Sequence, residues 1–232
     1  MKYDEIRIIP SLGNSGAVES IRNNVLVLDE GGWPPSALLC KMVRSGKIRF
    51  FSKANQGLLE KQLGYYSDLQ SIKSEDAISW SLFGNMSNMT YSVQNAFYKE
   101  ILVSTKLGED SLVSMRMWQR LPHPENGDSK GPEIDVLIVG EKHYFLVECK
   151  WTSGIGEKQG KGKDKDQIQI RKEFISGYGK AIFRGKKGHI LFVGNSTLNG
   201  IESILWDSFL GFKSIAFKKE FREYLSWKKK YI

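Results

Sequence analysis

The sequence predicts an α/β fold in which helices flank a mixed sheet. Three apolar, strand-like runs follow one another in the middle of the chain, at 112–121, 132–139 and 144–151. Apolar residues at helical spacing precede these runs at 91–103 and follow them at 167–183. Because amphipathic helices and half-apolar strands bury their apolar sides against each other, we expect these elements to share one core.

Further elements complete the predicted order. The apolar run 189–193 predicts a last buried strand, and the segment 201–210 predicts a further helix. Ser74 followed by Glu75 and Asp76 is typical of a helix N-terminus, where a hydroxyl caps the first turn and acids favour the helix dipole. The core order is therefore helix, strand, strand, strand, helix, strand.

The amino-terminal part is predicted to be a mixed strand and helix extension. Short β-branched runs at 6–9 and 25–28 predict strands, and a leucine stripe over 55–69 predicts a helix. We therefore expect an amino-terminal extension or subdomain over 1–70 and a core domain over 71–232.

The composition favours a polyanionic partner. Lys and Arg total 34 against 26 Asp and Glu among 232 residues, which gives a formal net charge of +8. The segment 218–230 predicts an amphipathic packing helix, with Phe221, Tyr224 and Leu225 on its apolar side and its lysines in solvent. Nucleic acid is the partner that this charge balance suggests, and a homodimer is one option for assembly.

Cysteine usage and hydropathy favour a cytoplasmic location. Cys40 and Cys149 are the two cysteines, and a thiol within a core strand suggests a reduced compartment. The first residues lack the apolar stretch of a signal peptide, and no segment has the length and hydropathy of a membrane span. No membrane partner is therefore expected.

Charged residues interrupt two of the central strands. Asp135 lies in the second strand of the core, and Glu148 and Lys150 end the third. Successive strand side chains alternate between faces, so Glu148 and Lys150 project from one face. The short link 140–143 predicts a hairpin, which would bring Asp135 beside the strand that carries Glu148. Charges in apolar strands are costly unless a partner, metal or substrate compensates them.

This pattern resembles the signature of the PD-(D/E)XK nuclease superfamily, in which an acid on one strand is followed by Glu-x-Lys on the next. The two halves here are Pro132-Glu133-Ile134-Asp135 and Glu148-Cys149-Lys150. One inserted residue separates the Pro-acid pair from the metal-binding acid, and we assign that role to Asp135 rather than Glu133. The resemblance implies a restriction-endonuclease-like αβββαβ core.

The resemblance also implies a metal-dependent nuclease that hydrolyses phosphodiester bonds of DNA, of restriction, repair or defence type. Mg²⁺, with Mn²⁺ as the alternative, would be held by Asp135, Glu148 and the main-chain carbonyl of Cys149. Lys150 would orient or deprotonate the attacking water, or stabilise charge on the phosphate. In the absence of metal, repulsion between the two carboxylates predicts that neutralising either one raises thermal stability.

A glutamate on the first core helix often completes the acidic cluster of the superfamily. Glu75 is the favoured candidate, Glu100 is its close competitor because its helix precedes the first core strand, and Glu60 is the third. Each also has an ordinary interpretation, as a helix-capping charge for Glu75 and as a solvated surface residue for Glu100 and Glu60.

A basic segment follows the predicted site. From Lys150 to Lys187 inclusive there are eleven Lys or Arg against four acids, a local charge of +7. Lys161 and Lys163 are either part of a solvated loop or contacts to the phosphates of DNA. Gln167 and Arg171, one helical turn apart, resemble the trailing Gln motif of the superfamily and are candidate substrate-binding residues.

Other functions are less well supported by the sequence. The histidines His123, His143 and His189 are scattered and form no metal-binding helix motif, so structural roles are expected for them. An inactive nucleic-acid-binding or scaffold protein with the same fold is the alternative to the enzyme. The joint presence of Asp135, Glu148 and Lys150 favours the enzyme.

Overall fold

The fold is described by a computed structural model. The chain forms two compact units. The first comprises Met1–Asn85 together with Phe217–Ile232, and the second comprises Met86–Ala216. The structure describes residues 3, 5–9, 16–28, 35–45, 68–124, 127, 131–152 and 165–232. The helix expected over 55–69 lies outside the described residues apart from its last two, and the domain boundary expected at residue 70 stays a prediction.

The described part of the chain contains fifteen helices and strands. In order they are β1 (Ile8–Ile9), β2 (Ala17–Val18), α1 (Ile21–Asn24), α2 (Ser36–Ser45), α3 (Glu75–Ser79), α4 (Asn85–Ser87), α5 (Tyr91–Ser104), β3 (Leu112–Arg120), β4 (Glu133–Gly140), β5 (His143–Cys149), α6 (Gln167–Ser176), α7 (Tyr178–Ile182), β6 (Lys187–Gly194), β7 (Glu202–Leu205) and α8 (Lys218–Lys229). A π-helical turn over Trp80–Gly84 joins α3 to α4, and 3₁₀ turns lie at Asp68–Gln70 and Trp206–Gly211.

The first unit is built around the carboxy-terminal helix α8. The ring of Tyr3 stacks on Trp227 with centroids 5.2 Å apart. The hydroxyl of Tyr224 donates a hydrogen bond of 2.9 Å to the carbonyl of Asn24. As predicted, α8 is amphipathic, but Lys228 is buried on its apolar side rather than solvated. Its ammonium donates to the Asn24 side chain and to the carbonyl of Ile72.

In the described part of the second unit, five strands form one sheet in the order β3-β4-β5-β6-β7. The pairs β3–β4 and β4–β5 are antiparallel, whereas β5–β6 and β6–β7 are parallel. The parallel pairing of β5 with β6 requires a crossover, and α6 and α7 lie in it. The predicted α/β architecture, a mixed sheet with helices, is confirmed.

Apolar side chains cover both faces of this sheet. On one face, Phe174 of α6 packs into a buried cluster with residues of β4 and β5, including Leu137 and Leu146. On the other face, Phe145 makes an edge contact with Tyr98 of α5, with ring centroids 6.2 Å apart. Each strand of the central hairpin is therefore apolar on both sides, which makes a charged residue within it conspicuous.

Asp110 fixes the turn between β4 and β5. Its buried carboxylate accepts hydrogen bonds from the Tyr98 hydroxyl at 2.7 Å and from the main-chain N–H groups of Lys142 and His143 at 3.0 Å. Gly140 is required at this point, since a Cβ atom there would lie 2.2 Å from the Tyr98 hydroxyl. This anchor sets the start of β5 and therefore the register of its far end.

Two predicted elements differ from the structure. The segment 25–28 is not a strand, because its backbone is held by helix side chains: Ser81 accepts from the N–H of Leu26 and Asn85 donates to its carbonyl. The segment 201–210 is not one helix, because its first part pairs in parallel with β6 as strand β7 before a 3₁₀ turn. In both places tertiary hydrogen bonds outweigh local propensity.

Two predicted helices are also divided. The helix expected over 167–183 ends at Ser176 and restarts as α7, with Gly177 at the break. The helix that starts after Ser74 begins as expected, with the Ser74 hydroxyl accepting from the N–H of Ala77 at 3.1 Å, and then widens into the π-helical turn. The helix at Tyr91–Ser104 and the strand at Leu112–Arg120 match their predicted positions to within one residue.

Candidate active site

The two acidic residues of the signature lie side by side on adjacent strands. Val136 of β4 pairs with Val147 of β5, and one further step of this antiparallel register places Asp135 opposite Glu148. Directly opposite residues of an antiparallel pair share a face of the sheet. The main-chain N–H of Cys149 donates a hydrogen bond of 2.7 Å to Asp135 Oδ2. The Asp135 carboxylate is thereby fixed next to the Glu-x-Lys segment.

Glu148 forms two buried ion pairs. Its Oε1 atom lies 3.1 Å from Lys150 Nζ, and its Oε2 atom lies 3.2 Å from Arg171 Nη2. The exposed fractions of these residues are 3% for Glu148, 7% for Lys150 and 2% for Arg171. Away from water the two cations compensate a carboxylate that would otherwise be strongly destabilising in the core.

Arg171 reaches the site from helix α6. Asp166 caps this helix by accepting from the N–H of Gln169 at 2.7 Å, and Gln167 and Arg171 then lie one turn apart. Arg171 Nη2 also donates to the carbonyl of Glu133 at 2.9 Å, so the helix is tied to the start of β4. The Nη1 atom of Arg171 is buried and has no hydrogen-bond partner in the described part of the chain.

The backbone of Lys150 is held from two sides. Its N–H donates to the carbonyl of Val193 at 2.8 Å, which continues the pairing of β5 with β6. Its carbonyl accepts from the indole N–H of Trp206 at 2.8 Å, and Asn195 donates to the next carbonyl, that of Trp151, at 2.6 Å. The sequence did not identify Asn195 or Trp206, because their contribution depends on the parallel register of β6 and β7.

Asp135 lies on the strand between β5 and β3, and its neighbour on β3 is Trp118. Met117 pairs with Val136 and Gln119 with Ile134, so the intervening Trp118 stands opposite Asp135. Its φ of 51° is unusual for a residue with a bulky side chain, and such a conformation costs on the order of 1–3 kcal/mol. The sequence carries no signal for this feature, because neither Gly nor Asn marks the position.

Of the three candidate helix glutamates, Glu100 is bound elsewhere in the second unit. Glu100 Oε2 accepts from the N–H of Ser214 at 3.0 Å and from its hydroxyl, and Glu100 Oε1 accepts from the N–H of Lys213. Glu100 therefore holds the turn that follows the Trp206–Gly211 segment. Glu75 opens α3 in the first compact unit, so its part in the site stays a prediction, and Glu60 lies outside the described residues.

The oxygen donors of the site suit a hard cation. Among the residues that the structure describes, no three His, Cys, Asp or Glu side chains lie together in a way that could hold a metal. Asp135 and Glu148 provide two carboxylates, and Mg²⁺ is commonly bound through one or two carboxylates with water completing the shell. This donor set is compatible with Mg²⁺, and a metal ion held by the two carboxylates and the main-chain carbonyl of Cys149 stays a prediction.

Of the predicted substrate-binding residues, only part can be placed. Arg171 lies in the site, and Gln167 lies one turn before it on α6. Lys161 and Lys163 lie outside the described residues. The basic character of the segment that follows the site is therefore known from the sequence alone.

Two of the histidines form a separate hydrogen-bonded chain with Glu202 at the other end of β5, in which His189 is buried. His143 Nδ1 lies 3.1 Å from His189 Nε2, and His189 Nδ1 lies 3.4 Å from Glu202 Oε1. Burial lowers the pKa of His189, although the Glu202 carboxylate opposes this effect. The sequence could not bring these residues together, because their contact depends on the parallel pairing of three strands.

No protein-family model, curated protein or solved structure matches this chain. The relation to the PD-(D/E)XK superfamily therefore stays a resemblance carried by the residues of the two strands. In the described residues there is no helix with both the length and the apolar character needed to cross a membrane.

Proposed function

We propose that the protein is a metal-dependent nuclease that hydrolyses phosphodiester bonds of DNA, with a restriction-endonuclease-like core. The order of α5, β3, β4, β5, α6 and β6 agrees with the αβββαβ core that the superfamily resemblance implies. The basic net charge of +8 supports a nucleic acid as the substrate. Cytoplasmic action is part of the same proposal.

The observation that carries the proposal is the position of Asp135 relative to the Glu-x-Lys segment. Asp135 accepts the N–H of Cys149, the residue between Glu148 and Lys150. Two carboxylates and an ammonium from two strands thus meet on one face of the sheet, although twelve residues lie between Asp135 and Glu148 along the chain. Glu148 and Lys150 are buried, whereas ordinary charges at a strand edge face solvent.

Each residue has a role in the proposed chemistry. Asp135 and Glu148 would hold the metal ion, which supplies Lewis-acid stabilisation of the negative charge on the phosphate when bound. Lys150 would place its ammonium beside the attacking water or a phosphate oxygen, and the Trp206 contact to its carbonyl fixes its main chain. Arg171 would donate from its guanidinium to a phosphate oxygen.

A cleavage assay tests the proposal. The purified protein is incubated with single-stranded, duplex and branched DNA in the presence of Mg²⁺ or Mn²⁺. We expect metal-dependent cleavage that Asp135→Asn removes and that Lys150→Ala lowers on the order of 10²- to 10⁴-fold. DNA affinity should be largely retained, since phosphate contacts by surface lysines do not depend on the metal ligands.

Glu141→Gln is the matched control. Glu141 is an exposed acid in the turn at the other end of the same hairpin, so its neutralisation makes the same charge change away from the site. Cleavage by Glu141→Gln should equal that of the wild type. Cleavage that persists in Asp135→Asn would mean that the site lies elsewhere, and inactivity of the wild type with either ion would favour the inactive nucleic-acid-binding or scaffold protein.

A further inference from the structure

We propose that Arg171 couples metal binding to phosphate binding by exchanging one anion, the Glu148 carboxylate, for another, a phosphate oxygen of the substrate. This inference rests on the proposed function and adds a regulation of the same site. Its physical basis lies in the charge balance of Glu148 with its three charged neighbours and in the geometry of one guanidinium.

Two cations already compensate the charge of Glu148. Asp135 and Glu148 are formally balanced by Lys150 and Arg171. The formal charges of these four side chains sum to zero, and both oxygens of Glu148 already have a cationic partner. A divalent cation that takes Glu148 as a ligand must compete with these partners.

Of the two cations, Arg171 is the one that can release the Glu148 carboxylate. The main chain of Lys150 is fixed by hydrogen bonds with Val193 and Trp206. Its ammonium is carried by a flexible side chain only two residues from Glu148, so it can adjust and stay close to the carboxylate. Arg171 has an alternative acceptor, because the same Nη2 atom also donates to the carbonyl of Glu133 at 2.9 Å. Arg171 can therefore release Glu148 and keep one hydrogen bond.

Once Arg171 has released Glu148, it requires another anion. With only 2% of its surface exposed Arg171 has little water to replace the carboxylate, and its Nη1 atom has no partner among the described residues even while Glu148 is bound. A buried guanidinium that loses its carboxylate is strongly destabilising unless another anion replaces it. A phosphate group matches the fork of a guanidinium and provides two acceptors at once.

Metal and phosphate should therefore bind cooperatively. Metal alone must disrupt the Glu148–Arg171 pair, whereas metal with phosphate restores a partner to Arg171. By linkage, the factor by which an oligonucleotide raises metal affinity equals the factor by which metal raises oligonucleotide affinity. An enzyme built in this way would hold its metal weakly until a nucleic acid is present.

Titration calorimetry with Mg²⁺, in the absence and presence of a short phosphorothioate oligonucleotide, tests the inference. For the wild type we expect the oligonucleotide to raise Mg²⁺ affinity on the order of tenfold, the size typical of groups that act through a metal ligand. Arg171→Met removes the competing cation, so it should bind Mg²⁺ alone on the order of tenfold more tightly and lose the effect of the oligonucleotide.

Two further variants make the test decisive. Lys172→Gln removes a positive charge from the neighbouring exposed position of α6 and should behave as the wild type. Arg171→Lys keeps a cation beside Glu148, so the fold should be retained. Its ammonium lacks the forked donors with which a guanidinium binds a phosphate. It should keep wild-type affinity for Mg²⁺ alone and lose most of the coupling.

The outcomes separate this inference from the proposed function. Unchanged Mg²⁺ affinity in Arg171→Met, or unchanged coupling in both Arg171→Met and Arg171→Lys, would overturn the inference while metal-dependent cleavage by the wild type stands. Absence of Mg²⁺ and Mn²⁺ binding by the wild type would overturn the inference together with the proposed function.

Discussion

Glu148 shows how the surroundings of one residue change what its sequence position suggests. The sequence places two acids together and predicts repulsion between them in the absence of metal. The structure surrounds Glu148 with Lys150 and Arg171 at 3.1 and 3.2 Å, so attraction to these cations dominates over repulsion by Asp135. The expected effect of neutralising Glu148 therefore changes sign.

Glu148→Gln should lower the stability of the metal-free protein. The substitution leaves Lys150 and Arg171 as buried cations without their carboxylate, and loss of one member of a buried ion pair costs about 3–5 kcal/mol. The free energy of unfolding, measured by urea denaturation in the presence of EDTA, is the observable. A midpoint that stays unchanged or rises in Glu148→Gln would show that the two ion pairs do not stabilise the fold.

Asp110 is a second buried acid, and its role is structural. Burial would raise the pKa of its carboxyl, but hydrogen bonds from Tyr98 and from the N–H groups of Lys142, Ser111 and His143 outweigh burial and lower it. A carboxyl whose pKa is lower in the folded than in the unfolded state stabilises the fold above its unfolded pKa. That contribution is lost as the pH falls through the folded pKa.

Asp110→Asn should therefore destabilise the protein at neutral pH and reduce the fall in stability on acidification. The amide cannot accept all of these hydrogen bonds, and each bond to a charged group contributes about 1.5–3 kcal/mol. Urea denaturation at pH 7 and pH 4 measures both effects. Glu109→Gln, a change at the exposed neighbouring residue, is the control and should match the wild type; equal stability of Asp110→Asn and wild type would contradict the assigned role.

The residues of the site were predictable to different degrees. Asp135, Glu148 and Lys150 stand out because strand alternation and a short hairpin fix their faces from local sequence alone. Arg171 was suggested by its spacing from Gln167, but its pairing with Glu148 depends on how α6 packs against the sheet. Trp118 was not identified, because a positive φ at a tryptophan has no local sequence signal.

At the level of elements, helix α8 combines an expected pattern with an unexpected residue. Tyr224 and Leu225 lie three and four residues after Phe221, and Lys228 lies four and three residues after them, so all four share the buried side of the helix. The lysine was expected in solvent because the end of the helix is rich in lysine. Its position on the helix, rather than its residue type, decides its burial.

Lys228 makes the stability of the protein depend on pH in the alkaline range. Burial lowers its pKa to about 7, while the unfolded chain keeps the ordinary value of about 10.5. Between these values the unfolded state binds more protons, so the free energy of unfolding rises with pH. Below about pH 7 both states are protonated and the cost of the buried charge is constant.

Comparison of Lys228→Met with the wild type isolates this effect. From pH 7 to pH 9 the wild type should gain stability that the variant does not gain, because other titrating groups contribute equally to both proteins. Urea denaturation at several pH values provides the measurement. Parallel pH profiles for the two proteins would show that the Lys228 amine does not titrate in this range.

The elements that the sequence predicted well are those with long, regular patterns. The helix Tyr91–Ser104 and the three central strands have clear periodicity and match the structure closely. The segment Glu202–Leu205 became a strand because β6 offered it a parallel partner, which no local pattern reveals.

At the level of the whole molecule, charge and fold support the same function by independent routes. The net charge of +8 concerns the entire chain and favours a polyanion, whereas the sheet concerns the second compact unit and brings two acids to one face. The α/β class was predictable because the order of strands and helices restricts the ways in which they can pack. The division of the chain into compact units depends on contacts between distant segments, as shown by the grouping of Phe217–Ile232 with the amino-terminal part.

In the proposed function, Asp135 and Glu148 hold the catalytic metal ion. Crystals of the wild-type protein grown or soaked with Mn²⁺, with diffraction recorded at the manganese absorption edge, would locate this ion. We predict one anomalous peak at about 2 Å from carboxylate oxygens of both Asp135 and Glu148. Absence of a peak at these residues, under conditions in which the protein cleaves DNA with Mn²⁺, would contradict the assignment of the site.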